Sequence, residues 1–210
     1  MTNIYNRWRD QDSILHFDTK ETQDFFESEV HFLKTIAQNV ESVLDIGCAS
    51  GRMIELLNGI LPNFTYCGID IVEQSIINAK SYYPNSAFYQ SNALQFETDE
   101  TFDLVNATGV MQHEIKFEEL VQRMIGWSNR YVLFDIKIAD IDAHEDDITR
   151  SYCGQESKLP YVLLSLPLFL NYLKGLPNIR KISMYGYETS LNARTIIPES
   201  IERVISTGVL

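Results

Sequence analysis

Apolar residues at Phe26, Val30, Leu33, Ala37 and Val40 recur at steps of four, three, four and three, and this period predicts an amphipathic helix over residues 20–39. A short apolar run at 43–46 follows, and then Met53, Leu56, Leu57 and Ile60 restore the helical period until Pro62 ends it. A second apolar run covers 64–69, so the chain reads strand, helix, strand: a βαβ unit. Residues 72–82 read as a helix stopped before Pro84, 87–90 and 102–107 as strands, 117–127 as a helix and 131–136 as a fifth strand. The strands are nearly continuous in apolar character, as expected where both faces of a parallel sheet are covered. Regular alternation without repeats predicts an α/β, three-layer, doubly wound architecture.

The pattern changes after Ile136. Residues 137–158 are polar and carry Asp140, Asp142, His144, Glu145, Asp146 and Asp147, an insertion long enough to serve function or to be plain loop. The acidic cluster offers oxygen and nitrogen ligands for a hard cation, but its spacing fits no metal loop, so it reads as a solvated face and no metal is expected. The apolar stretch 159–173 contains Pro160 and Pro167 and falls short of the roughly 20 uninterrupted residues of a membrane span. It is expected to be a kinked helix, buried or forming a homodimer surface. Residues 179–187 alternate like a strand that pairs antiparallel with 204–210, although 195–198 competes for that place.

Length and composition narrow the picture. The 210 residues, 45% of them hydrophobic, suffice for one sizeable α/β core and suggest a single domain over 1–210. Cys48, Cys67 and Cys153 form no paired spacing, which argues against a disulfide framework or zinc site and suits a reducing cytoplasm. The N-terminus is polar, without the apolar core of a signal peptide. A net charge of −12 opposes phosphate polyanions, so nucleic acid is a poor partner.

The chemistry concentrates in Val43-Leu44-Asp45-Ile46-Gly47-Cys48-Ala49-Ser50-Gly51, a strand running through an acidic residue into a turn with two glycines before a helix. Such a turn brings backbone N–H groups up to a ligand, and Asp45 favours one that carries positive charge. The second strand ends in Asp70, a carboxylate placed to accept hydrogen bonds from both hydroxyls of a ribose. Together they predict a nucleoside cofactor. The dinucleotide fingerprint would need glycine where Ala49 and Arg52 stand.

Over residues 40–135, and more loosely to the C-terminus, the chain resembles the class I S-adenosylmethionine-dependent methyltransferases. Asp45, Gly47 and Gly51 match that family's first motif, with Ala49 in place of its middle glycine. The resemblance implies a Rossmann-like, mostly parallel seven-stranded sheet with a C-terminal antiparallel strand. It implies S-adenosyl-L-methionine as cofactor, contacted by the turn residues Asp45, Gly47, Cys48, Ala49 and Gly51. By the same resemblance Ile71 lies against adenine, Asn92 and Ala93 near its amino group, and Thr108 faces the methionine part. Residues 1–40 would form a cap, with Tyr5 and Trp8 as an aromatic lid or as sheet-edge packing, and 137–178 an insertion over the acceptor side.

Methyl transfer needs alignment and water exclusion, and a base only where the acceptor must lose a proton. His113 is the candidate base by its intrinsic pKa and its place after the fourth strand, against a loop-ordering role. Tyr152, Tyr185 and Tyr187 are candidates for an acceptor pocket, or for core. The Asn-Pro-Pro-Tyr-like tetrad of the family's base- and glutamine-directed N-methyltransferases is missing, since Asn106 is followed by Ala107, Thr108 and Gly109. The expected activity is transfer to O or N of a small-molecule acceptor, such as a sugar or natural-product intermediate. The alternatives are a cofactor-binding interaction protein without turnover and a nucleotide-dependent oxidoreductase.

Overall fold

The computed structural model describes residues 25–154, 158–188, 190–191 and 193–210. Tyr5, Trp8 and the start of the helix expected over 20–39 lie outside the described residues. The regular elements begin with helix α1 (Glu27–Ile36), followed by β1 (Ser42–Ile46), α2 (Met53–Asn58), β2 (Thr65–Asp70), α3 (Glu73–Tyr82) and β3 (Ala87–Gln90). Then come β4 (Phe102–Ala107), α4 (Phe117–Trp127), β5 (Ser128–Ala139), the two-residue strands β6 (Tyr152–Cys153), β7 (Leu159–Pro160) and β8 (Leu164–Ser165), and α5 (Leu166–Gly175). The chain closes with β9 (Met184–Glu188), β10 (Thr195–Ile196) and β11 (Val204–Val209).

The main sheet runs β3-β2-β1-β4-β5-β11-β9, with β8 pairing on β5 beside that path. The first five strands pair in parallel, and β11 is antiparallel to both β5 and β9. Alternate side chains leave the sheet on opposite faces. Val43, Leu104 and Leu133 meet α1, α2 and α3 through Leu33, Leu57 and Ala79, whereas Leu44, Val105 and Phe134 meet α4 and α5 through Leu120, Met124 and Phe169. The result is three layers, with β1 and β4 buried on both faces as their sequences predict. The strand order reverses between β1 and β4, so the carboxyl ends of these strands open a crevice.

Helix α1 lies unusually close to the antiparallel end of the sheet. A Cβ at Gly208 on β11 would come within 2.5 Å of Ser28 Cβ, so the helix can settle there only over a glycine. That contact fixes the N-terminal turn of α1 above the crevice.

One expectation is corrected. The run 159–173 is not a single kinked helix: Leu159–Pro160 pairs with β6, Leu164–Ser165 pairs with Ile138–Ala139, and the helix starts only at Leu166 with Pro167 in its first turn. Proline lacks the N–H that an interior helix position must donate and is tolerated in the first turn, so Pro167 opens the helix rather than bending it. The competing segment 195–198 also finds its place, since Thr195–Ile196 pairs with β6 in a separate three-stranded sheet and leaves β9 to β11.

Candidate functional site

A cavity of about 340 Å³ opens at the carboxyl ends of β1, β2 and β4. Gly47 turns the chain at φ +72°, and a Cβ on it would sit 2.6 Å from Val110 Cγ2, so this turn takes its shape against Val110 only with glycine there. Ala49 adopts φ +46°, the left-handed region that glycine prefers, and its N–H donates to Asp70 Oδ2 at 2.9 Å. Val72 N–H donates to Asp70 Oδ1 at 2.8 Å. Each Asp70 oxygen therefore has a backbone donor, the Ile71 amide adds to them, and the carboxylate keeps further lone-pair capacity toward the cavity it lines. Burial raises the Asp70 carboxyl above its ordinary value, against the lowering effect of those amides.

Asp45 lies in mid-sheet register with Gly68 on β2 and Asn106 on β4. Tyr66 O–H donates to its Oδ2 at 2.5 Å and Asn106 Nδ2 to its Oδ1 at 2.8 Å. Burial pushes this carboxyl up to about 6, and the two donors hold it from rising further. Asn106 also donates to Thr108 Oγ1 at 3.0 Å, and the Thr108 hydroxyl reaches Glu29 Oε1 at 2.5 Å. A polar chain therefore runs Tyr66, Asp45, Asn106, Thr108, Glu29, its last four members in the cavity wall.

The cavity brings together Asp45, Gly47, Cys48, Ala49, Asp70, Ile71, Asn92, Ala93, Thr108 and His113, ten of the eleven residues singled out from the sequence. Gly51 is not in the lining. It turns at φ +85° against Tyr83 and Phe88, and a Cβ would stand 2.9 Å from the Tyr83 ring. Asn92 Oδ1 accepts from Leu94 N at 2.8 Å, and Ala93 O accepts from Arg123 Nε at 3.2 Å. His113 ends a short 3₁₀ turn after β4 (Met111–His113), and its Nδ1 lies 2.8 Å from Pro160 O. A carbonyl can only accept, so the neutral imidazole carries its proton on Nδ1 and its lone pair on Nε2.

The tyrosines proposed for an acceptor pocket stand elsewhere: Tyr152 beneath the Lys158 ammonium, Tyr185 donating to Glu27 at 2.5 Å, and Tyr187 on the same strand. In the acidic insertion His144 Nδ1 accepts from Ser165 N at 3.0 Å and Glu145 pairs with Arg150 at 3.1 Å. Among the described residues no group of three or more His, Cys, Asp or Glu side chains could hold a metal ion, and no helix is long and apolar enough to cross a membrane.

Sequence reasoning missed Glu29, Arg52, Phe25, Phe26, Gln112 and Glu114, which also line the cavity. For Glu29 a signal existed, since it falls between Phe26 and Leu33 on the apolar stripe of α1 and is buried with Phe32 and Leu33. Burial pushes its carboxyl up to about 8, with Asp45 and Asp135 adding repulsion and the Thr108 hydrogen bond opposing the rise.

A family model described as a methyltransferase domain matches residues 38–157 of this chain. The chain belongs to that family. The chain is 26% identical over 103 residues to the trans-aconitate 2-methyltransferase of Escherichia coli (strain 55989 / EAEC), covering 49% of the chain and 41% of that protein. It is 25% identical over 126 residues to the enzyme of the same name from Shigella flexneri, covering 60% of the chain and 49% of that protein. The chain therefore spans less than half the length of these relatives. Among solved structures, the N-terminal domain of EvdMO1 with S-adenosylhomocysteine bound superposes with a TM-score of 0.64 at 12% identity, covering 100% of this chain and 96% of that one. The magnesium protoporphyrin IX methyltransferase ChlM of Synechocystis PCC 6803, with bound S-adenosylmethionine, superposes with a TM-score of 0.59 at 11% identity, covering 99% and 98%. These likenesses establish the fold as the Rossmann-like one of class I methyltransferases.

The cofactor of that class is S-adenosylmethionine, and the cradle fits it. Gly47 carries the chain through a turn where a Cβ would clash with Val110 of the lining, Asp70 retains acceptor capacity toward the cavity, and the acidic residues of the lining complement a cationic ligand.

Proposed function

We propose that this methyltransferase moves a methyl group from S-adenosylmethionine to an oxygen or nitrogen of a small acceptor that carries little negative charge, with His113 as the base. Bound in the crevice, the cofactor supplies a methyl group already activated by its sulfonium. Asp70 would hold the ribose, Ile71, Asn92 and Ala93 the adenine, and the turn at Gly47, Cys48 and Ala49 with Thr108 the methionine part. The observation that carries the role of His113 is its geometry: the Pro160 carbonyl fixes the ring and its tautomer, leaving Nε2 as the basic nitrogen of a side chain in the cavity lining. The ring is thereby pre-oriented to take a proton from an acceptor hydroxyl or amine as the methyl arrives. Pro160 lies in the insertion, so that segment supports the acceptor side of the reaction.

The charge of the lining bears on acceptor class. Glu29, Asp45, Asp70 and Glu114 line the cavity, and Arg52 is the one Lys or Arg among its described lining residues. The relatives named trans-aconitate 2-methyltransferase act on a polycarboxylate by that name, and Glu114, next to His113 in the lining, opposes such an acceptor by like-charge repulsion. Neutral hydroxylated or amine acceptors, sugars and natural-product intermediates among them, suit it better.

The test is methyl transfer from S-adenosylmethionine to a panel of neutral, cationic and polycarboxylate acceptors, read as S-adenosylhomocysteine formed. With the acceptor in hand, His113→Ala is expected to lower kcat by roughly 10²–10⁴-fold and to abolish the rise of rate with pH through a single ionisation. An unchanged pH profile with the loss confined to KM would remove the base role. Turnover on polycarboxylates alone would overturn the acceptor class.

A further inference from the structure

The groups around Glu29 leave its charge uncompensated within the described chain. The residue sits on α1, 3% exposed, lining the cavity beside the ends of β1 and β4. From β1 it faces Asp45 and from β5 Asp135, both carboxylates that repel it. Lys137 on β5 is held by Asp135 Oδ2 at 3.0 Å and Ser206 Oγ at 2.8 Å, so its charge is taken up by another acid. Thr108, after β4, offers one hydroxyl, and Tyr187 on β9 is a phenol whose own ionisation burial holds up at about 12. Arg52 lies over the Phe25 ring, 5.4 Å from its centre, at the start of α2. A carboxyl kept in such a place calls for a cation from outside the described residues.

The layout of the crevice indicates which part of the ligand brings that cation. Asp70, on β2, marks the ribose; Ser91, Asn92 and Ala93, beyond β3, mark the adenine side; β4 and α1 lie at the opposite end. A ligand laid from β3 toward β4 presents its amino-acid end to Glu29.

We propose that Glu29 is the counter-ion of the α-ammonium of the cofactor, binding it as an ionised carboxylate. Burial holds the Glu29 carboxyl up at about 8 in the empty cavity, so binding is expected to release a proton to solvent. The inference rests on the reading of the cavity as an S-adenosylmethionine site, and it adds a positioning residue from outside the strand-end motifs. The helix that covers the sheet thereby also orients the methionine part, and with it the methyl group. Because the ammonium is common to substrate and product cofactor, Glu29 recognises both alike.

Two nucleosides separate this role from a structural one: S-adenosylhomocysteine, which has the ammonium, and 5′-methylthioadenosine, which lacks the whole amino-acid part. Calorimetric titration of the wild-type chain in buffers of different ionisation enthalpy is expected to show proton release with the first and none with the second. Wild-type affinity for S-adenosylhomocysteine is expected to rise between about pH 6 and 8 as Glu29 becomes easier to ionise. Glu29→Gln, an isostere of the neutral form, is expected to weaken S-adenosylhomocysteine by roughly tenfold or more, to leave 5′-methylthioadenosine within about twofold, and to flatten the pH dependence. Unchanged affinity of the Glu29→Gln variant for S-adenosylhomocysteine, or equal losses for both nucleosides, would each overturn the proposal. A wild-type chain that binds neither nucleoside would instead bring down the cofactor reading on which it stands.

Discussion

At the residue scale, the position that departs from the family motif is also one whose backbone bears a cost. Ala49 holds φ +46°, tied there by its N–H bond to Asp70. An L-residue in the left-handed region gives up about 1–2 kcal/mol relative to its relaxed conformations, and glycine does not. Replacement by glycine also enlarges the freedom of the unfolded chain, which returns about 0.4–1 kcal/mol to the unfolded side. Ala49→Gly is therefore expected to be neutral to about 1.6 kcal/mol more stable, a rise of up to about 6 °C in Tm for a chain of this size. Thermal unfolding followed by circular dichroism checks it. A loss of stability would mean that the alanine methyl packs in the crevice to a degree that outweighs the strain. His113 teaches the complementary lesson: its type and place were legible in sequence, whereas its tautomer depends on Pro160, 47 residues away.

At the scale of elements, the crevice depends on how tightly α1 seats on the sheet. Adding a methyl at Gly208 places it 2.5 Å from Ser28 Cβ, and the next neighbour, Phe32 Cε2, stands at 3.3 Å. Gly208→Ala is therefore expected to lift α1 and to cost about 1–3 kcal/mol by overpacking, with weaker binding of S-adenosylhomocysteine because Glu29 moves with the helix. Ser28→Gly removes the clashing Cβ at a helix-propensity cost of about 1 kcal/mol, and the double variant is expected to lose less than the sum of the two single losses. Additive losses in chemical denaturation would refute the close contact. The parallel strands and their helices were readable because burial on both faces leaves an apolar signature that composition alone reveals. The segment 159–173 was not, because a continuous apolar run has no period, and a buried strand followed by a helix looks the same as one long helix. The crevice floor was legible for a local reason: its turn and strand ends are encoded by neighbours in sequence. The roof was not, since Glu29 meets Thr108 across 79 residues and a lone acid on a helix reads first as a solvated one.

At the scale of the whole molecule, a chain with net charge −12 keeps several of its acids out of water, and this sets how stability responds to pH. Burial raises Glu29 from 4.5 to about 8 and Asp45 from 3.8 to about 6. Each acid then binds its proton more tightly in the folded chain than in the unfolded one. Its favourable contribution is complete below the unfolded value and is lost as pH climbs through the folded value. Asp45 loses its share between pH 3.8 and about 6, and Glu29 between 4.5 and about 8. His144, whose pKa burial lowers, acts in the opposite sense, but its share is lost only as pH falls below 6.5. Above that point Glu29 governs the trend. The empty protein is therefore expected to lose stability from about pH 6.5 to 8 with a slope approaching 1.4 kcal/mol per pH unit, the limit for one proton. Glu29→Gln, which cannot ionise, is expected to flatten that decline. Urea unfolding at a series of pH values, with and without saturating S-adenosylhomocysteine, measures both. A ligand that holds Glu29 ionised gains affinity as pH rises, so its saturating presence is expected to offset the decline in the wild-type chain and to have no such pH-dependent effect in the variant. A wild-type profile flat between about pH 6.5 and 8 would show that Glu29 does not keep its proton in the folded chain, and the linkage between helix α1, the cofactor and the proton would fall with it.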